Sequence, residues 1–75
     1  MSSLERILAI ERILQENYYG ISVKEIIDAL ENRYGIIAKR KCVYNCIAAL
    51  TRFMPIDKKR EGNVVYWYIE RDKSK

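Results

Sequence analysis

The chain has 75 residues, with fourteen Lys and Arg against ten Asp and Glu, no His, one Pro and two Cys. A domain this short hides only about 60% of the surface its unfolded chain exposes, which leaves little room for an enclosed substrate pocket. Without His, and with Cys42 and Cys46 as its thiol ligands, the chain completes neither a four-coordinate zinc site nor a His-based triad or general base. The expectation is a single domain over residues 1–75 that is not an enzyme and carries no metal or cofactor.

The first segment, roughly residues 3 to 16, places Leu4, Ile7, Leu8, Ile10, Ile13 and Leu14 at helical spacings with charged residues between them. These interspersed charges exclude a signal-peptide core or a membrane span, so a cytoplasmic protein with reduced thiols is expected. The apolar arc is wider than the roughly 100° stripe of an ordinary surface helix, because Ile10 and Ile13 extend it. Two readings fit that width: a homodimer contact through Ile10 and Ile13, or a three-helix core that wraps all six residues.

Asn17-Tyr18-Tyr19-Gly20 breaks the helix, and Ile21 is placed to form a very short extra strand. Ser22-Val23-Lys24-Glu25 has the S-x-x-E form of a capping box, so a second helix begins at Val23. Val23, Ile26, Ile27, Leu30 and Tyr34 supply its apolar face, and Tyr34-Gly35 ends it. A third helix is predicted from about Lys39 to Phe53. At about 100° per residue, Val43, Cys46, Ile47, Leu50, Phe53 and Met54 share one face, and Lys41, Tyr44, Asn45, Ala48 and Arg52 the opposite one. Pro55 closes this helix, and the period then changes to two. Ile56 to Arg60 and Val64 to Glu70 flank Glu61-Gly62-Asn63 as a β-hairpin, and residues 71–75 read as a frayed tail.

Charge is divided between the two halves. Residues 1–37 carry four basic and six acidic side chains, whereas residues 38–75 carry ten basic and four acidic. Between residues 39 and 60, Lys39, Arg40, Lys41, Arg52, Lys58, Lys59 and Arg60 are opposed by Asp57 alone. Such clustering is the footprint of a surface that faces phosphates.

The predicted class is α+β: a winged helix-turn-helix of three helices followed by a two-stranded β-hairpin wing. In that layout the third helix enters the DNA major groove, and the wing reaches adjacent phosphates or the minor groove. The expected DNA-binding residues are Lys39, Arg40, Lys41, Tyr44, Asn45, Arg52, Lys58, Lys59 and Arg60. Tyr44 and Asn45 are the candidates for base edges, since Asn forms paired hydrogen bonds to adenine. Cys42 and Cys46 read as small residues on the edge of helix 3 rather than half of a metal site. The aromatic run Tyr66-Trp67-Tyr68 reads as strand packing rather than base stacking.

The run from Arg33 to Leu50, with Lys39-Arg40-Lys41-Cys42-Val43-Tyr44-Asn45-Cys46-Ile47-Ala48-Ala49-Leu50 as its most specific part, resembles the winged-helix N-terminal domain of WYL-domain bacterial transcription regulators. The recognition helix of that family reads S-R-K-T-V-Y-R-D-I-x-x-L. Arg40, Lys41, Val43, Tyr44, Ile47 and Leu50 keep the pattern, and the resemblance implies DNA contacts for Arg40, Lys41 and Tyr44. Lys39, Cys42, Asn45 and Cys46 stand where the family has Ser, Thr, Arg and Asp. No WYL effector domain follows the wing, so no ligand-sensing module is expected. The implied function is a small repressor-like transcription regulator of bacterial, phage or mobile-element origin, acting on double-stranded DNA as a dimer. The alternative is a winged-helix protein-binding module, such as a phage-type inhibitor of a nuclease or CRISPR effector.

Overall fold

The computed structural model describes residues 3–70, so the predicted tail at residues 71–75 lies outside the described residues. Helix α1 spans Ser3–Glu16. Its end is closed locally, with the Asn17 side chain donating to the Ile13 carbonyl at 2.7 Å and the Gly20 N–H to the Asn17 carbonyl at 2.9 Å. Gly20 has φ 116°, and a Cβ there would lie 3.1 Å from the Tyr66 Cβ, so both backbone conformation and space demand glycine. The chain then enters β1, Ile21–Ser22, which pairs antiparallel with the last strand. The short strand expected at Ile21 is therefore present.

Helix α2, Val23–Tyr34, starts at the predicted capping box. The Glu25 N–H donates to Ser22 Oγ at 3.2 Å, and the Ser22 N–H donates to Glu25 Oε1 at 3.1 Å. At the other end Gly35 takes the left-handed conformation, φ 66°, and its N–H satisfies the Glu31 carbonyl. Arg33, in the last turn of α2, forms a two-pronged ion pair with Glu16 at the end of α1, Nη2 to Oε2 being 3.1 Å. Hydrogen bonding from Arg33 holds the Glu16 carboxyl below its ordinary value. Whatever stability this pair adds is present above the ordinary carboxylate range and is lost as pH falls through the lowered value. Both groups are open to solvent, so the contribution is small.

Helix α3 covers Arg40–Leu50, three residues shorter at its C-terminal end than its sequence pattern. After Leu50 the chain tightens into i to i+3 turns, with Arg52 N–H on the Ala49 carbonyl and Phe53 N–H on that of Leu50. The Thr51 hydroxyl donates to the Ala48 carbonyl at 2.6 Å and stabilises the tightened turn. Phe53, predicted on the buried face, is consequently carried off it and is 83% exposed.

Strands β2, Ile56–Glu61, and β3, Val64–Ile69, complete a three-stranded antiparallel sheet in the order β1-β3-β2. Gly62, φ 65°, makes the tight turn between β2 and β3. The core collects Ile10, Ile13 and Leu14 of α1, Ile26 and Leu30 of α2, and Val43 and Ile47 of α3, with Ile69 closing it from the sheet. Ile10 and Ile13 are fully buried, which corrects the expectation that they contact a second copy. The Ile10, Ile13 and Leu14 part of the wide apolar arc is used inside the chain, because α2, α3 and β3 all pack on α1, whereas Leu4 and Leu8 stay exposed.

Candidate nucleic-acid interface

The buried face of α3 is Val43, Cys46, Ile47 and Leu50, and the face turned outward carries Lys41, Tyr44, Asn45 and Ala48. Over 11 residues the helix is about 16 Å long, and it presents this polar face with little bulk at its centre. Lys39 is the N-cap but makes no side-chain cap bond, leaving its ammonium group exposed beside the exposed Arg40 and Lys41. Donated backbone amides and the helix dipole make this end favourable for an anion.

One aromatic contact joins the wing to α3. Tyr44 meets Trp67 of β3 edge-on, with ring centroids 6.3 Å apart and planes at 69°, and remains 43% exposed. The ammonium of Lys58 lies 5.3 Å from the centre of the same Trp67 ring. The Tyr44 ring thus braces the wing while part of it stays exposed.

Register decides which wing cations share the α3 side. Lys58 pairs with Trp67 and Arg60 with Val65, so both project on the sheet face that holds Trp67. Lys59 pairs with Tyr66 and projects on the other face, where its ammonium lies 3.8 Å from a Glu61 carboxylate oxygen. At the tip the Arg60 Nε donates to the Gly62 carbonyl at 3.4 Å. Of the predicted residues, Lys39, Arg40, Lys41, Tyr44, Asn45, Lys58 and Arg60 lie on α3 and the adjoining wing face. Arg52 sits in the closing turn at the far end of α3, lining a shallow hollow with Asn45, Ala48 and Phe53.

A groove of about 330 Å³ joins the starts of α2 and α3 to the wing turn, lined by Lys24, Arg40, Tyr44, Asn63 and Val64 among others. It adds Lys24 and Asn63 to the interface. Charge counting passes over Lys24 because it lies in the net-acidic half of the sequence, although the capping box places it in the first turn of a helix.

On the α1 side, Asn45 borders a smaller hollow with Arg6, Ile7, Cys42 and Cys46. Burial pushes the Cys46 thiol up, opposed in part by the Arg6 guanidinium, so it stays protonated at neutral pH. Both thiols are free, Cys42 half-buried and Cys46 buried. Among the described residues no group of three or more His, Cys, Asp or Glu is placed to hold a metal ion. No described helix is long and apolar enough to cross a membrane.

The fold as a whole is similar to that of a solved structure. A structure of HOP2, from work on its DNA recognition and protein interaction domains and on homologous DNA pairing, matches with a TM-score of 0.65. The match covers 87% of this chain and 98% of the HOP2 chain at 20% sequence identity. The fold is that of a winged helix. No family model and no curated protein matches the chain.

Proposed function

We propose that this winged helix binds duplex DNA and acts as a small repressor-like transcription regulator, placing α3 in the major groove and the wing on flanking phosphates or the minor groove. The observation that carries this reading is the convergence of Lys24, Lys39, Arg40, Lys41, Lys58 and Arg60 around the solvent face and N-terminal end of α3. A groove about 12 Å wide admits a helix of this kind, and the cations meet phosphates on either side. In this placement Tyr44 and Asn45 face base edges, and Arg52 reaches phosphate at the far end of the helix. The likeness of Arg40, Lys41 and Tyr44 to the recognition helix of WYL-domain regulators supports the same assignment. The likeness of fold to HOP2, a protein with a DNA recognition domain, supports it at the level of architecture. Repression follows from occupancy of a promoter and requires no catalysis and no cofactor.

Selection from a random duplex pool tests the sequence-specific part. Enrichment of one motif, with protection centred on positions that fail to bind an Asn45→Ala variant, is the expected outcome. A pool that remains unenriched after repeated rounds would sink the regulator reading. Exposed Phe53 beside Arg52 and Asn45 favours a second reading, a protein-binding module, for which the same selection returns no motif.

A further inference from the structure

At its centre the outward face of α3 is not basic. Lys41, Asn45 and Ala48 follow at i, i+4 and i+7, within about 60° of one another around the helix, and all three are exposed. Arg52 stands beyond Ala48 and lines the same shallow hollow as Asn45 and Ala48. Tyr44 is turned about 70° off this line, toward Trp67 and the wing. The line thus carries a cation at each end and, between them, one carboxamide and one methyl group. Among the described residues the Asn45 carboxamide takes part in no hydrogen bond, so its acceptor and its donors are both open outward.

We infer, resting on the DNA binding proposed above, that the centre of α3 reads two successive A·T pairs. Asn45 hydrogen-bonds the adenine of one pair, and the Ala48 methyl packs on the thymine methyl of the next. The helix is about 16 Å long and a major groove about 12 Å wide, so Lys41 and Arg52 reach the rims when Asn45 and Ala48 face the floor. Along the axis Asn45 and Ala48 are about 4.5 Å apart, near the step of about 3.4 Å between base pairs, which sets them over neighbours. Adenine presents N7 as acceptor and N6 as donor side by side, the complement of one carboxamide. Ala48 offers no polar atom. Guanine O6 or cytosine N4 beneath it would give up water with nothing in exchange, whereas the thymine methyl gains by leaving water. Selection therefore works for A·T through contacts and against G·C through an unpaired polar edge.

Duplexes enriched from a random pool by the full chain supply the probe, and their motif should hold two adjacent A·T pairs. Uracil in place of thymine at that step removes the methyl alone and should weaken binding about fourfold. Replacing the adenine by 7-deazaadenine removes the N7 acceptor alone and should weaken it about fivefold or more. Ala48→Gly should bind the thymine and uracil duplexes alike, and Asn45→Ala the adenine and 7-deazaadenine duplexes alike. Both analogue measurements use the wild-type chain, so they decide the matter even if a variant fails to fold. A chain that retains no duplex at low salt overturns DNA binding itself, and this assignment with it. Duplex binding without an enriched motif, a motif lacking adjacent A·T pairs, or indifference to either analogue overturns the A·T assignment alone. So does an analogue effect that persists unchanged in the matching variant.

Discussion

Replacing Arg40 and Lys41 together with Glu is expected to abolish duplex binding while leaving the chain folded. Both side chains are exposed at the start of α3 and contribute nothing to its core, so circular dichroism and thermal unfolding stay close to wild type. The loss in binding is large because each substitution removes a cation and adds a like charge facing the phosphates. Taking about 1–3 kcal/mol for each contact removed, the pair costs about 2–6 kcal/mol, or at least about a 30-fold weakening. Repulsion adds to that figure. Arg40 carries more of it than Lys41, since it also lines the groove shared with Lys24 and the wing turn, where two cations stand together. Fluorescence anisotropy on a labelled duplex measures the change. Retained affinity in the doubly reversed chain would move the interface away from α3.

Ile13→Ala is the change expected to damage folding most for its size. Ile13 is fully enclosed where α1 meets the other helices, and truncation leaves a cavity that fixed neighbours cannot fill. The cost is about 2–5 kcal/mol, against a total of roughly 4–11 kcal/mol for a chain of this length. Thermal unfolding should fall by about 10 °C or more. Leu8→Ala, on the same helix but half exposed, should stay within about 0.5 kcal/mol of wild type at concentrations where the chain is monomeric. If the two variants unfolded alike, the division of α1 into an inner and an outer face would be wrong.

That division was only partly legible from residue spacing. Periodicity showed that α1 carries more apolar residues than a surface helix needs, but the surplus was laid at Ile10 and Ile13. Which part of a wide arc stays outside depends on how many elements surround the helix, and here α2, α3 and β3 enclose both residues. The residues left over are Leu4 and Leu8. By contrast, α2 was readable to the residue, because a capping box and a left-handed glycine are local signals that need no tertiary information. The end of α3 was not: Thr51, with φ −63° and ψ −16°, still looks helical, and the tightening that exposes Phe53 comes from its hydroxyl bonding back to Ala48.

The candidate interface divides along the same line. Its charge was visible as a count, and the helix face as a period. The two faces of the wing were implicit in strand alternation, yet assigning Lys58 and Arg60 to one side and Lys59 to the other required the register with Trp67 and Tyr66. Lys24 became part of the surface only through folding, since it is sixteen residues from Arg40 in the chain and lines the same groove. Tyr44 and Trp67, read separately as a base reader and a packing residue, turn out to be one contact.

Binding of a duplex from the selected pool, followed over a series of salt concentrations, tests recognition by α3 and the wing most directly. With Lys24, Lys39, Arg40, Lys41, Arg52, Lys58 and Arg60 each displacing one counterion, log K should fall with log salt at a slope of roughly −6 per bound chain. Removing any one of these cations should flatten the slope by about one. No duplex retained at the lowest salt, or an affinity unmoved as salt rises, would contradict DNA binding by this surface.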